Sequence, residues 1–279
     1  MKLSHLMLIV VSLSVLIWRT ASPVFAENRV LHMATTTSTD NTGLLDYLAP
    51  VFESSTGIEL RWVAVGTGKA LALGRNCDVD VLMVHAPAAE AEYISRGYGV
   101  KRHPFMYNDF VIIGPKSDPA GVGEKSVAQG LSVICRQSVN FASRGDDSGT
   151  NKREIQLWMD AGLGVPDRES WYIQTGQGML NTINIAAEQD AYTLADRGTF
   201  IKYESNWKGD PPLVILVEGD AALRNQYSVI ALNPARCKDV RYDLAEKLIQ
   251  WVLSPEAQHL IGEFELMDKK LFIPNGGMD

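Results

Sequence analysis

The chain has 279 residues, 46% of them hydrophobic and 21% charged, proportions that exclude a disordered, collagen-like or disulfide-dense protein. That length suffices for one large or two modest domains with proper cores. A net charge of -7 without any basic run argues against a nucleic-acid partner held through its phosphates.

Met1 and Lys2 precede an apolar stretch from Leu6 to Trp18, and small residues follow up to Ala26. This is the pattern of a secretory signal peptide over residues 1–26; the apolar run is short for a bilayer span and Arg19 ends it. Cleavage there removes Lys2 and Arg19 and no acid, so an exported, periplasmic and more acidic chain is predicted. Cys77, Cys135 and Cys237 form no CxxC pair, which speaks against a zinc site or a thioredoxin-like motif. One bridge with a spare thiol fits these cysteines, and so does none; buried small residues are the plainer reading.

From there a strand, loop, helix pattern repeats. RVLHMA (29–34) reads as a strand and 35–42 as a polar loop. The helix after it carries Leu44, Leu45, Leu48, Val51 and Phe52 on one face and stops at Gly57. IELRWVAV (58–65) and VDVLMVH (79–85) read as further strands, with a short helix between them. FVIIG (110–114) and YSVIAL (227–232) are apolar strands, each led by a polar cluster, Tyr107-Asn108-Asp109 and Arg224-Asn225-Gln226. Between them lie expected strands at 131–135 and 171–175 and helices from about Asn151 and Met179. A last helical face, Leu244, Leu248, Trp251 and Val252, follows Pro234. The pattern predicts an α/β fold of two lobes with mixed sheets flanked by helices and a cleft between them. The first lobe takes 27–112, the second 113–228, and 229–279 returns to the first.

The chemistry gathers at strand-to-helix junctions. These are Thr35-Thr36-Thr37-Ser38-Thr39, Gly66-Thr67-Gly68, SRGDDSGT at 143–150, and Thr175-Gly176-Gln177-Gly178. Helix N-termini expose unpaired N–H groups that favour anions, hydroxyls add neutral donors, and glycine lets backbone approach closely. Each loop alone is also explained by helix capping. Asp40 and Asp147 read as structural, because a carboxylate aimed at an anion repels it. Arg144 fits either an anion or an ion pair with Asp146 or Asp147.

Thr35–Ser38 with the LLDYL helix, VGTGKAL (65–71), DVLMVHAP (80–87), YNDFVIIGP (107–115), SRGDDSGT (143–150) and TGQGM (175–179) together resemble the tungstate-binding proteins of bacterial ABC transporters. These are the TupA-like branch of the type II periplasmic binding proteins. The resemblance runs over the whole chain after the signal peptide. It implies two lobes closing on a tetrahedral oxyanion, tungstate or molybdate, which a monomer without cofactor delivers to a membrane permease. Its ligand positions map onto Thr36, Thr37, Ser38 and Thr67 in the first lobe and Arg144, Ser148, Gly149 and Thr150 in the second. Gln177 and Gly178 are less directly implied. Phosphate-binding relatives place an acceptor aspartate where this chain has His85. A histidine can donate and brings no fixed negative charge, which disfavours phosphate.

Sulfate, phosphate or a sensor role are alternatives within the same chemistry. A serine hydrolase using Ser148 is the rival from another class, since Asp147-Ser148-Gly149 echoes a protease motif, but GxSxG is absent. VGTGKA lacks the first glycine and the Ser/Thr of a nucleotide-binding loop, and no residue cluster has metal-ligand spacing. No enzyme activity is expected.

Overall fold

The computed structural model describes residues 29–277; the expected signal peptide, 1–26, lies outside them. The chain begins with β1 (Val30–Thr36), a single helical turn α1 (Thr37–Asp40) and α2 (Leu44–Thr56). The expected loop at 35–42 is therefore a strand end followed by a turn, because the Thr36 hydroxyl accepts the Thr39 N–H and caps it. Leu44, Leu45, Leu48 and Phe52 are buried, and Gly57, with φ 66°, ends α2 in the left-handed conformation. β2 (Glu59–Val65), α3 (Thr67–Arg75), β3 (Val81–Val84) and α4 (Pro87–Ser95) continue the alternation. β1 pairs in parallel with both β2 and β3.

β4 (Gly99–Pro115) is longer than the apolar FVIIG run alone. After it come α5 (Val127–Gln137), β5 (Phe141–Ser143), α6 (Gly149–Asp160), β6 (Tyr172–Gln174), α7 (Met179–Glu188), β7 (Thr193–Asp196), α8 (Arg197–Asn206) and β8 (Leu213–Val217). The strand expected at 131–135 is wrong: those residues lie inside α5. A capping box between Ser126 and Gln129 starts that helix, and Val127, Leu131 and Ile134 recur at helical spacing. β9 (Arg224–Leu232), α9 (Tyr242–Val252) and α10 (Pro255–Glu263) follow. The short strands β10 (Glu265–Leu266), β11 (Lys269–Lys270) and β12 (Ile273–Pro274) end the chain.

The first lobe is built on the strand order β12-β4-β9-β3-β1-β2. β4 pairs with β9 up to Asp109, opposite Arg224, and from Phe110 onward it pairs with β7 and β8 of the second lobe. β5 and β6 pair in parallel beside this second sheet, joined to it by a bridge from Phe141 to Tyr192. The expected boundaries at 112/113 and 228/229 fall a few residues beyond these changes of partner, because all of β9 belongs to the first sheet.

Phe110 and Ile112 face one core with Phe141 and Trp158, whereas Val111 and Ile113 face another with Ile183 and Tyr203. A strand covered on both faces must be apolar throughout, which is why FVII carries no alternation. β1 alternates likewise, Leu31 and Met33 toward α2 and α9, Ala34 toward α3. Ile201 of α8 lies in the first lobe's core while Phe200 and Tyr203 lie in the second's, so α8 packs against both. Cys77 and Cys237 form a disulfide, with Cα atoms 5.5 Å apart, and Cys135 is free. Of the alternatives left by the sequence, one bridge with a spare thiol is the outcome, because β3 and β9 are neighbours and bring the flanking loops together.

Candidate functional site

The ends of β1, β2, β3 and β5 open onto one cavity of about 320 Å³ between the lobes. Thr36, Thr37 and Ser38 line it from β1 and α1, Gly66, Thr67 and Gly68 from the start of α3, and His85 from the end of β3. Arg144, Ser148, Gly149 and Thr150 line it from the second lobe, at the start of α6. The lobes stand close: a Cβ on Gly149 would lie 3.6 Å from His85 Cε1 and 3.7 Å from Thr67 Oγ1. Ligands of open α/β sheets sit at such strand ends, where successive helices present their N-termini.

The first-lobe side is a buried hydrogen-bond network. His85 Nδ1 lies 2.9 Å from Asn225 Oδ1, an acceptor, so the hydrogen is on Nδ1. Nε2 then faces the hydroxyls of Thr36 at 3.0 Å and Ser38 at 3.1 Å as an acceptor. The ring stacks on Tyr227, centroids 4.7 Å apart. Burial pushes the His85 pKa down, against the smaller upward effects of the Asn225 bond and the Asp196 charge, so the ring is neutral at pH 7. His85 thus accepts within the lining, where donation was the property anticipated from sequence. Thr36 Oγ1 is committed as well: it accepts from Thr39 N–H at 3.2 Å and lies 2.7 Å from Thr39 Oγ1 and 3.0 Å from Ser38 Oγ. Asp40 accepts from Trp62 Nε1 at 2.7 Å, in keeping with its structural reading.

The second-lobe side carries the charge. Arg144 and Asp146 form an ion pair, their side chains 18% and 22% exposed, yet Arg144 Nε is buried without a hydrogen-bond partner. A buried guanidinium N–H without a partner is costly unless an acceptor reaches it. Burial alone raises the Asp146 pKa, but hydrogen bonds from Ser148 and the Arg144 charge outweigh it and leave the carboxyl below its ordinary value. Gly145 has φ 59° and its Cβ would meet Gln174 Cβ at 3.0 Å, so the loop needs glycine there. Ser148 is the N-cap of α6, its Oγ accepting the Asn151 N–H at 3.2 Å. His85 Nε2 is engaged by Thr36 and Ser38 rather than serving Ser148 as a base. Asp147, with φ 57°, pairs with Lys152 and donates its N–H to Asn151 Oδ1.

Sequence reasoning missed the support beneath this loop. Buried Glu154 accepts from Ser143 Oγ at 2.5 Å, Tyr172 OH at 2.7 Å and Trp158 Nε1 at 3.0 Å. Burial raises its pKa, and those bonds pull it part of the way back. The signal was available: Glu154 lies at helical spacing with Asn151, Leu157 and Trp158 on the inward face of α6. Gly178, the N-cap of α7, lines an adjoining cavity of about 450 Å³ that also includes Thr37, Ser38 and Arg144. Gln177 lines neither cavity, and its N–H turns to Thr175 Oγ1 at 3.4 Å. Among the described residues no group of three His, Cys, Asp or Glu is placed to hold a metal ion, and no helix is long and apolar enough to cross a membrane.

A family model described as the PBP superfamily domain matches residues 23–256. The tungstate-binding protein TupA of Campylobacter jejuni is 52% identical over 236 residues, spanning 85% of this chain and 87% of that protein. A solved structure of the tungstate-binding protein TupA from Desulfovibrio alaskensis G20 superposes with a TM-score of 0.85 at 60% identity, covering 88% of this chain and 99% of that one. The tungstate ABC transporter structure from Geobacter sulfurreducens superposes with a TM-score of 0.74 at 44% identity, covering 84% of this chain and 98% of that one. Its relatives are named as binding proteins rather than enzymes, and the chain belongs to the PBP superfamily and, within it, to the TupA family of tungstate-binding proteins.

Proposed function

We propose that this chain captures a fully deprotonated tetrahedral oxyanion, tungstate, between its lobes and hands it to the permease of an ABC transporter. Residues 1–26 direct it out of the cytoplasm and are removed. The observation that carries the reading is Arg144, whose Nε is buried and unpartnered, in the lining of a cavity that also gathers the hydroxyls of Thr37, Ser38, Thr67 and Thr150 and the starts of α3 and α6. The proposed ligands are Arg144, Ser148, Gly149 and Thr150 from one lobe and Thr37, Ser38 and Thr67 from the other. Thr36 and His85 support them from behind, and Gly178 and Gln177 stand at or beyond the margin. Nanomolar capture needs about 12 kcal/mol. Charge-assisted hydrogen bonds contribute about 1.5–3 kcal/mol each, so about six to eight donors including one guanidinium suffice after ordering costs.

Tungstate and molybdate carry the same charge and nearly the same size; the preference for tungstate is supported by the relatives' names. Phosphate retains a proton near pH 7 and wants an acceptor, and the two carboxylates in the cavity lining are engaged, Asp146 by Arg144 and Ser148 and Asp147 by Lys152. Calorimetric titration with tungstate, molybdate, sulfate and phosphate tests the proposal. Tight tungstate binding with poor phosphate competition is expected; phosphate competing at equal concentration overturns it.

A further inference from the structure

We infer that Asn225 is a positioning residue of the oxyanion pocket: by accepting the Nδ1 hydrogen of His85 it keeps Nε2 an acceptor, turns the Thr36 hydroxyl inward, and leaves Ser38 to donate to the anion. The inference rests on the oxyanion reading of the cleft. Its parts are almost wholly enclosed, Thr36 at 3%, Asn225 at 3% and Asn108 at 4% exposure. Asn225 Nδ2 donates to Asn108 Oδ1 at 2.8 Å, and the two asparagines sit opposite each other in the pairing of β4 with β9. Both lie next to the residues where these strands pass between lobes, so the relay joins the anion pocket to the crossing strands.

The tautomer decides what the pocket offers. One hydroxyl hydrogen must satisfy Nε2, and Thr36, which already accepts from Thr39 N–H, is enclosed deeply enough to give it. Ser38 then keeps its hydrogen for the ligand. With the hydrogen on Nε2 instead, the ring would donate toward those hydroxyl oxygens, and with hydrogens on both nitrogens it would also carry a positive charge. The charged and titratable groups around the ring are Tyr227 of β9, stacked on it, Asp196 at the start of α8, whose charge reaches it, and, in the lining of the same cavity, Lys69 of α3 with Arg144, Asp146, Asp147 and Lys152. Of these, Arg144 is paired with Asp146 and Lys152 with Asp147.

Asn225→Asp tests the assignment, with Asn108 free to turn its amide and donate to the new carboxylate. A carboxylate beside Nδ1 holds the ring as imidazolium in acid, a balanced pair; at higher pH the ring is neutral and the added negative charge faces the bound dianion alone. Calorimetry with tungstate should show wild-type affinity constant within about twofold between about pH 6 and pH 8.5. The variant should be weaker by about tenfold at the alkaline end, with the gap narrowing toward the acid end. A variant whose pH profile runs parallel to that of the wild type overturns the inference. Should the variant fail to fold, nitrogen-15 NMR of the wild-type histidines decides: hydrogen on Nδ1 and a bare Nε2 is expected for His85 at neutral pH. An Nε2–H tautomer refutes it. Because this measurement needs no ligand, its failure is distinguishable from wild-type protein failing to bind tungstate.

Discussion

The two lobes meet the same cavity with different equipment. The first offers a neutral network whose hydroxyls, imidazole and amides are tied to one another through Thr36, His85 and Asn225. It is assembled from distant parts of the chain and stapled by Cys77–Cys237 across 160 residues. The second is continuous between its two crossings and offers a charged loop, in which Arg144 is held by Asp146 and the backbone by Asn151, Ser143 and Glu154. Fixed neutral donors supply geometry without repelling or neutralising the ligand, whereas a guanidinium supplies strength, held in place by an acid that also competes with the ligand. Separating these tasks lets closure of the cleft bring strength and shape together only when both faces touch the anion.

Five variants probe that division. The largest effect is on stability and concerns the first lobe: Cys77→Ser with Cys237→Ser should lower unfolding free energy by about 2–4 kcal/mol, read by denaturant titration. Oxyanion affinity at temperatures where the protein stays folded should barely change, since the bridge lies away from the cavity lining. Next, Arg144→Ala should weaken tungstate binding by about 1.5–3 kcal/mol, at least about tenfold, with the thermal midpoint little altered. Unchanged calorimetric affinity would remove the charged half of the comparison.

Smaller losses, about 0.5–1.5 kcal/mol of affinity, are expected for Thr37→Val and Ser148→Ala, each deleting one neutral donor. Ser148→Ala should also lower the melting temperature, because it removes the cap of α6, and Thr37→Val should not. The smallest expected change has the opposite sign. Asp146→Asn should tighten oxyanion binding by about twofold to threefold by removing a negative charge beside the ligand. Because the folded pKa of Asp146 is depressed, its stabilising contribution is complete at neutral pH and fades only in acid, as the pH falls through that depressed value. Above about pH 5 the carboxylate is therefore ionised throughout the binding assays.

Legibility in the sequence followed the distance between interacting residues. TTTS, GTG and SRGDDSGT could be read because the chemistry of a strand-to-helix junction is contained within a few residues. The apolar core of α2 was equally local. Asn108 and Asn225 were visible as members of polar clusters before apolar strands, but their roles depend on partners 117 and 140 residues away. The acceptor state of His85 was hidden for the same reason, since Asn225 fixes it. Leu131–Cys135 misled because a short apolar run fits a buried strand and a buried helix equally; Ser126 and Gln129 settle it by starting a helix just before.

The position of β9 has a consequence for how the polypeptide matures. β3 and β4 are not neighbours; β9 lies between them, and it is made only after the entire second lobe. A chain emerging N-terminus first can therefore complete the lobe encoded in its middle while the earlier one still lacks a central strand. The lobe begun first is finished last, and Cys77 must wait as an unpaired thiol until Cys237 arrives.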